Sequence, residues 1–125
     1  MYQCLSDLQT AIETQLTSQK IQTVSNQAVV DSVIRAEFRV ENWSRELSGS
    51  FDGDSYDYSF NVGIYFLSAN QQQLIGKMLM MDRLITRDFI KEFGFDLERQ
   101  PAAELDDIDE GAAGILSFGI RYDQY

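Results

Sequence analysis

The stretch VIRAEFRVEN (33–42), read with YDYSFNVGIYF (56–66), decides the fold. In the first, Ile34, Ala36, Phe38 and Val40 alternate with Arg35, Glu37, Arg39 and Glu41. In the second, Tyr56, Tyr58, Phe60, Val62, Ile64 and Phe66 share one parity. A period of two places each apolar set on a single face of an extended strand. The connection 43–55 is rich in Gly, Ser and Asp, so the two stretches form a long antiparallel hairpin. Its tip, RELSGSFDGDS (45–55), is too long for a two-residue turn and reads as a loop either disordered in isolation or used to contact something. Trp43 at its base and Phe51 within it are apolar residues in a polar loop, serving either local packing or a partner.

Outward from the hairpin the periodicity changes. Leu5, Leu8, Ile12 and Leu16 step by three or four, which predicts a helix over 2–17 with one apolar stripe. A polar, Gln- and Ser-rich segment follows, with a short strand expected near 20–24 and a bulge or turn at Asp31 and Ser32. Beyond the hairpin, Leu74, Met78, Met81, Ile85 and Phe89 predict a second helix over 69–93. Ile75, Leu79 and Met80 widen its stripe, so most of this helix is expected to be covered, and Gly94 stands where a glycine cap belongs. FDLER (95–99) reads as a short strand stopping before Pro101. A loop over 101–114 follows, with five acids between 104 and 110. ILSFGIRY (115–122) is the last strand, with Gly119 marking a bend or a close backbone approach. The result is a single α+β domain over 1–125, a mostly antiparallel sheet with a long hairpin and two helices packed on one face.

Composition removes several function classes. At 125 residues and 44% hydrophobic content the chain supports one core. No apolar run approaches the ~20 residues of a membrane helix, and no secretory leader pattern is visible. The single cysteine, Cys4, fits a reducing cytoplasm and reads as a small apolar filler. The net charge of −10, with ten scattered Lys and Arg, argues against independent nucleic-acid binding. With no histidine, triad catalysis and histidine metal sites are excluded, and no glycine-rich phosphate loop occurs. The acidic stretches around Asp52, Asp54 and Asp57 and around Asp107 and Asp109 lack the remaining ligands of a calcium loop.

Taken in order, the opening MYQCLSDLQTAIETQL helix, the RAEFRVENW and SYDYSFNVGIYFL strands, and the amphipathic helix with its closing strand pair resemble small tail terminator (tail completion) proteins of tailed bacteriophages. The resemblance covers nearly the full length and is one of element pattern. It implies a ring, usually of six subunits, that caps the tail tube, ends its polymerisation and gives the neck a docking surface. The implied partners are further copies of the chain, the tail tube protein, the sheath protein in a contractile tail, and neck or connector proteins. DNA would pass only as cargo, and no membrane, cofactor or catalytic residue is implied. The implied place is the virion tail or neck, assembled in the host cytoplasm. Head–tail joining proteins of similar size share much of this pattern, which makes a neck or head-completion role the alternative. An acidic interaction module of non-viral origin is a further one, and an enzyme is the least supported reading.

Under this reading Trp43, Arg45, Ser48, Phe51, Asp52 and Asp54 are candidate subunit or partner contacts. Glu104, Asp106, Asp107, Asp109 and Glu110 are the candidate acidic loop on the channel or its rim. An acidic wall repels a duplex that carries one charge per about 1.7 Å of axis, which lets it slide. The plainer role of the same acids is solubility.

Overall fold

The computed structural model describes residues 2–19, 21, 23, 34–47, 56–68, 71–108 and 111–124. The alternating stretches form β1 (Ile34–Leu47) and β2 (Tyr56–Ser68), which pair antiparallel. Helix α1 (Tyr2–Ser18) precedes them and α2 (Gln71–Leu84) follows. A second hairpin, β3 (Asp96–Ile108) and β4 (Gly111–Gln124), ends the chain. The sheet order is β1-β2-β4-β3, so β2 and β4 are central and β1 and β3 are free edges. Both helices lie on one face, as the sequence requires. The covered face holds Ile34, Ala36 and Phe38 of β1, Phe60, Val62, Ile64 and Phe66 of β2, and Ala112, Leu116, Phe118 and Ile120 of β4. Leu8, Ile12 and Leu16 of α1 and Leu74, Met78 and Met81 of α2 close the core from above.

Glycine sets how closely α2 sits. A Cβ at Gly114 would lie 2.5 Å from Met78 Sδ, so the missing side chain makes the dent that receives this methionine. At the end of α1 the chain turns back through an Ile21 N–H that donates to the Leu16 carbonyl at 3.0 Å. That turn buries Ile21 completely.

Several boundaries differ from those the sequence predicts. The helix expected over 69–93 stops at Leu84 and continues as a wide turn (Ile85–Phe89) and a single 3-10 turn (Lys91–Phe93). Arg87, with φ −79° and ψ −175°, breaks the helical path, which lets Ile90 and Phe95 enter the core. Gly94 caps the segment in the left-handed conformation at φ 84°, as expected. The helix is also less covered than its wide stripe predicts: Leu79 is 55% exposed and Ile75 37%.

β1 runs five residues past its expected end, so Trp43 and Arg45 belong to a strand and not to a loop. The largest change is in β3. The strand expected over 95–99 does not stop before Pro101: residues 101–108 of the expected acidic loop continue it as a 13-residue strand that pairs with β4 down to Ile108, and residues 111–114 of that loop open β4. The register of β3 slips twice, between Leu97 and Arg99 and between Arg99 and Ala102. An edge strand with bulges is where a proline, lacking an N–H, is tolerated. Gly119 lies opposite the first slip, and a Cβ there would meet Arg99 Cβ at 3.0 Å, the close approach its position suggested. Ile21 and Thr23 belong to no strand. The rest of that expected strand, and the bulge expected at Asp31 and Ser32, lie outside the described residues.

Candidate interaction surfaces

The second half of β1 is aimed by one extra residue. Val40 pairs with Val62 and Asn42 with Asn61, leaving Glu41 as a bulge. A bulge inverts the parity of everything after it. Trp43 therefore stands opposite Phe60, on the helix side of the sheet, although continued alternation would put it on the other face. The helices do not reach this end. Trp43 is 62% exposed, the most exposed large apolar residue among those described, and its ring lies 6.3 Å from that of Tyr58. Arg45, directly opposite Tyr58, shares that face. Beneath them Phe95 meets Phe60 edge-on at 6.4 Å and Tyr122 at 5.5 Å, which fixes the platform under the exposed indole.

The same bulge organises the uncovered face. Glu41 accepts a hydrogen bond from the Tyr65 hydroxyl at 2.6 Å, and Arg39 lies over the Tyr65 ring at 4.6 Å. Arg39 Nη2 also donates to Glu37 at 2.7 Å. Gly63 permits this arrangement, since a Cβ there would fall 2.6 Å from the Glu41 carboxylate. The hydrogen bond to Glu41 raises the Tyr65 hydroxyl above the ordinary tyrosine range. The Arg39 hydrogen bond holds Glu37 below the usual carboxylate range. Further along, Asn61, Arg99 and Arg121 line a shallow polar groove of about 530 Å³. There Arg121 pairs with Asp57 at 2.8 Å and Arg99 donates to Asn61 Oδ1 at 3.4 Å. Apart from the half-buried Asp57, these charged groups are open to solvent, where an ion pair contributes about 0–1 kcal/mol. The cluster therefore shapes a recognition surface more than it stabilises the fold.

On the opposite side, α1 and α2 enclose an open groove of about 550 Å³. Gln15 and Gln19 of α1 form one wall, and Leu79, Met80, Arg83 and Leu84 of α2 the other, with Arg87 at its end. Gly76 leaves a notch, because a Cβ there would meet nothing within 4 Å.

The remaining sequence candidates divide. Glu104 and Asp106 are exposed and share the uncovered face at the β3 edge, opposite Ile115 and Ala113 in register, while Asp107 pairs with Ala112. They are strand residues and not the loop residues expected, because residues 102–108 keep regular pairing with β4. Ser48, Phe51, Asp52 and Asp54, like Asp109 and Glu110, lie outside the described residues. The sequence reading missed the Glu41–Tyr65–Arg39 cluster and the α1–α2 groove. The arginine spacing in RLITR (83–87) was the available sign of a one-sided basic rim.

Comparison with protein-family models and with curated proteins finds no match to this chain.

Chemically, these surfaces are suited to contact. Among the described residues no group of three Asp, Glu or Cys is placed to hold a metal, and only Thr23 and Ser68 are buried polar side chains. No buried titratable group stands ready for acid–base work among them, whereas exposed aromatic and charged residues sit on rigid strands.

Proposed function

We propose that this chain is a structural protein of a phage tail, of the tail-terminator kind, whose copies close into a ring on the end of the tail tube. The placement of its exposed contacts carries the reading. Trp43 projects from one end of the sheet on the helix side, and Glu104 and Asp106 of β3 lie on the opposite edge and the other face. Surfaces that differ in kind and direction favour head-to-tail association, which closes into rings when the rotation per subunit permits. Two long hairpins with free edges supply stiff arms for such contacts. The element pattern described above agrees with this role, and a net charge of −10 suits a subunit that DNA passes without sticking.

The test is deletion of the gene, followed by electron microscopy of the particles. Overlong tails without heads are expected of a terminator. Tails of normal length lacking heads would instead assign the chain to the neck, the second reading, which the same pattern of elements favours. Particles of normal form would overturn both.

A further inference from the structure

The ring reading leaves open which surfaces meet, and two features of this chain complement one another. The α1–α2 groove is apolar at Leu79, Met80 and Leu84 and carries Arg83 and Arg87, with no acid among its described lining residues. That is notable in a chain where acids outnumber bases two to one. At a free edge of the sheet, β3 presents Leu105, 40% exposed, between the exposed Glu104 and Asp106. Neither arginine and neither carboxylate has an ion-pair partner among the described residues.

The geometry points to a head-to-tail contact in which the β3 edge of one copy, around Leu105, enters the α1–α2 groove of the next. It rests on the reading of the chain as a ring-forming protein. A strand entering edge-on shows its two faces to different parts of the cleft. Leu105 meets the apolar residues around Leu79 and Met80, and Glu104 and Asp106 meet Arg83 and Arg87. Two residues of strand separate the carboxylates by about 7 Å, and both arginines line the one groove, Arg83 on α2 and Arg87 in the turn beyond it.

The open notch at Gly76 leaves room for the incoming backbone. Trp43 is the more exposed apolar residue, but Arg45 shares its face and would bring a third cation to the two arginines. Charge therefore selects the β3 edge. Placed here, Glu104 and Asp106 serve the subunit contact in place of the channel role expected for them.

The experiment is sedimentation velocity on the full chain and on two charge-reversed variants, R83E/R87E and E104R/D106R. All four side chains are exposed, so both variants keep the fold, which circular dichroism and urea melts verify. Wild type is expected to associate with concentration, and each variant to do so at least about 10-fold more weakly. In a mixture of the two, the acidic edge of R83E/R87E meets the basic groove of E104R/D106R and the reversed edge meets the reversed groove. The mixture is therefore expected to co-associate as wild type does, and combining all four reversals in one chain is expected to restore self-association. L79S, which removes only the apolar anchor, is expected to weaken association with the charges intact. Wild-type behaviour of either charge variant, a mixture that stays monomeric, or a wild type monomeric at every concentration would each overturn the contact. Binding to purified tail tubes separates the two readings. Variants that still ring and cap the tube refute this contact alone, and a wild type that neither associates nor binds tubes refutes the ring as well.

Discussion

Gly114 is the position where a single methyl group should report whether α2 sits on the sheet as described. A Cβ there would lie 2.5 Å from Met78 Sδ, 3.1 Å from Met78 Cε and 3.2 Å from Leu105 Cδ2. Met78 is 4% exposed, so its side chain has little space to retreat into. Overpacking of this kind costs about 1–3 kcal/mol, and the reduced chain entropy of alanine offsets about 0.5–1 kcal/mol of it. Gly114→Ala is therefore expected to destabilise by about 0.5–2 kcal/mol. Gly76→Ala provides the control. That glycine is exposed in the interior of α2 with nothing within 4 Å of a Cβ, so the same chemical change should stabilise, by about 1 kcal/mol.

Urea titration at constant m-value reads both, with Tm moving roughly 3–5 °C per kcal/mol for a domain of this size. Met78→Ala supplies the second arm of a cycle. Alone it should cost about 2–5 kcal/mol, and with Gly114→Ala the total should fall short of the sum by about 1 kcal/mol. A Gly114→Ala protein as stable as wild type, with strict additivity toward Met78, would refute the packing of α2 against β4.

Three further perturbations test separate parts of the structure. Phe95→Ala, which empties a site 1% exposed between Phe60 and Tyr122, should cost about 3–5 kcal/mol in the same urea assay. In an ultraviolet titration, Tyr65 should ionise above the ordinary tyrosine range, and Glu41→Gln should bring it down, since the hydrogen bond to Glu41 is the main cause. Because its folded-state value is raised, Tyr65 contributes stability that is present below about pH 10 and is lost as pH rises through the folded value. Trp43 is the sole tryptophan and is 62% exposed. Its emission should be that of a hydrated indole and readily quenched by acrylamide in the isolated chain, and shielded if the aromatic end of the sheet meets another subunit or the tube.

The elements legible in the sequence are those whose two faces differ. β2 alternates without a break because one face meets α1 and α2 and the other meets water, so Phe60, Val62, Ile64 and Phe66 could be assigned inward from spacing alone. The inward face of β4 was legible for the same reason. β1 was legible only to Val40. The bulge at Glu41 changes parity, and nothing local in ENWSREL distinguishes a parity change from the start of a loop. The second helix was overextended because Ile85 and Phe89 continue the helical spacing. Arg87 leaves the helix in an extended conformation, which serves the burial of Ile90 and Phe95, a tertiary demand absent from the local pattern.

β3 was illegible for a reason that bears on function. A strand with water on one face and no neighbour on one edge draws little on apolar alternation, and Pro101, two register slips and the acids from Glu104 onward conceal it further. These are the devices by which edge strands avoid indiscriminate pairing. Proline and bulges block a ladder outright, and they occupy the first half of β3, up to Ala102. From Ala102 onward the pairing with β4 is regular and the protection is charge, which acts only against the wrong partner. Carboxylates repel another acidic edge and admit a basic surface. The part of β3 hardest to recognise as a strand is thus the part of the sheet's free edges most selective about what it meets, and Arg83 and Arg87 form the basic rim that the same chain offers to it.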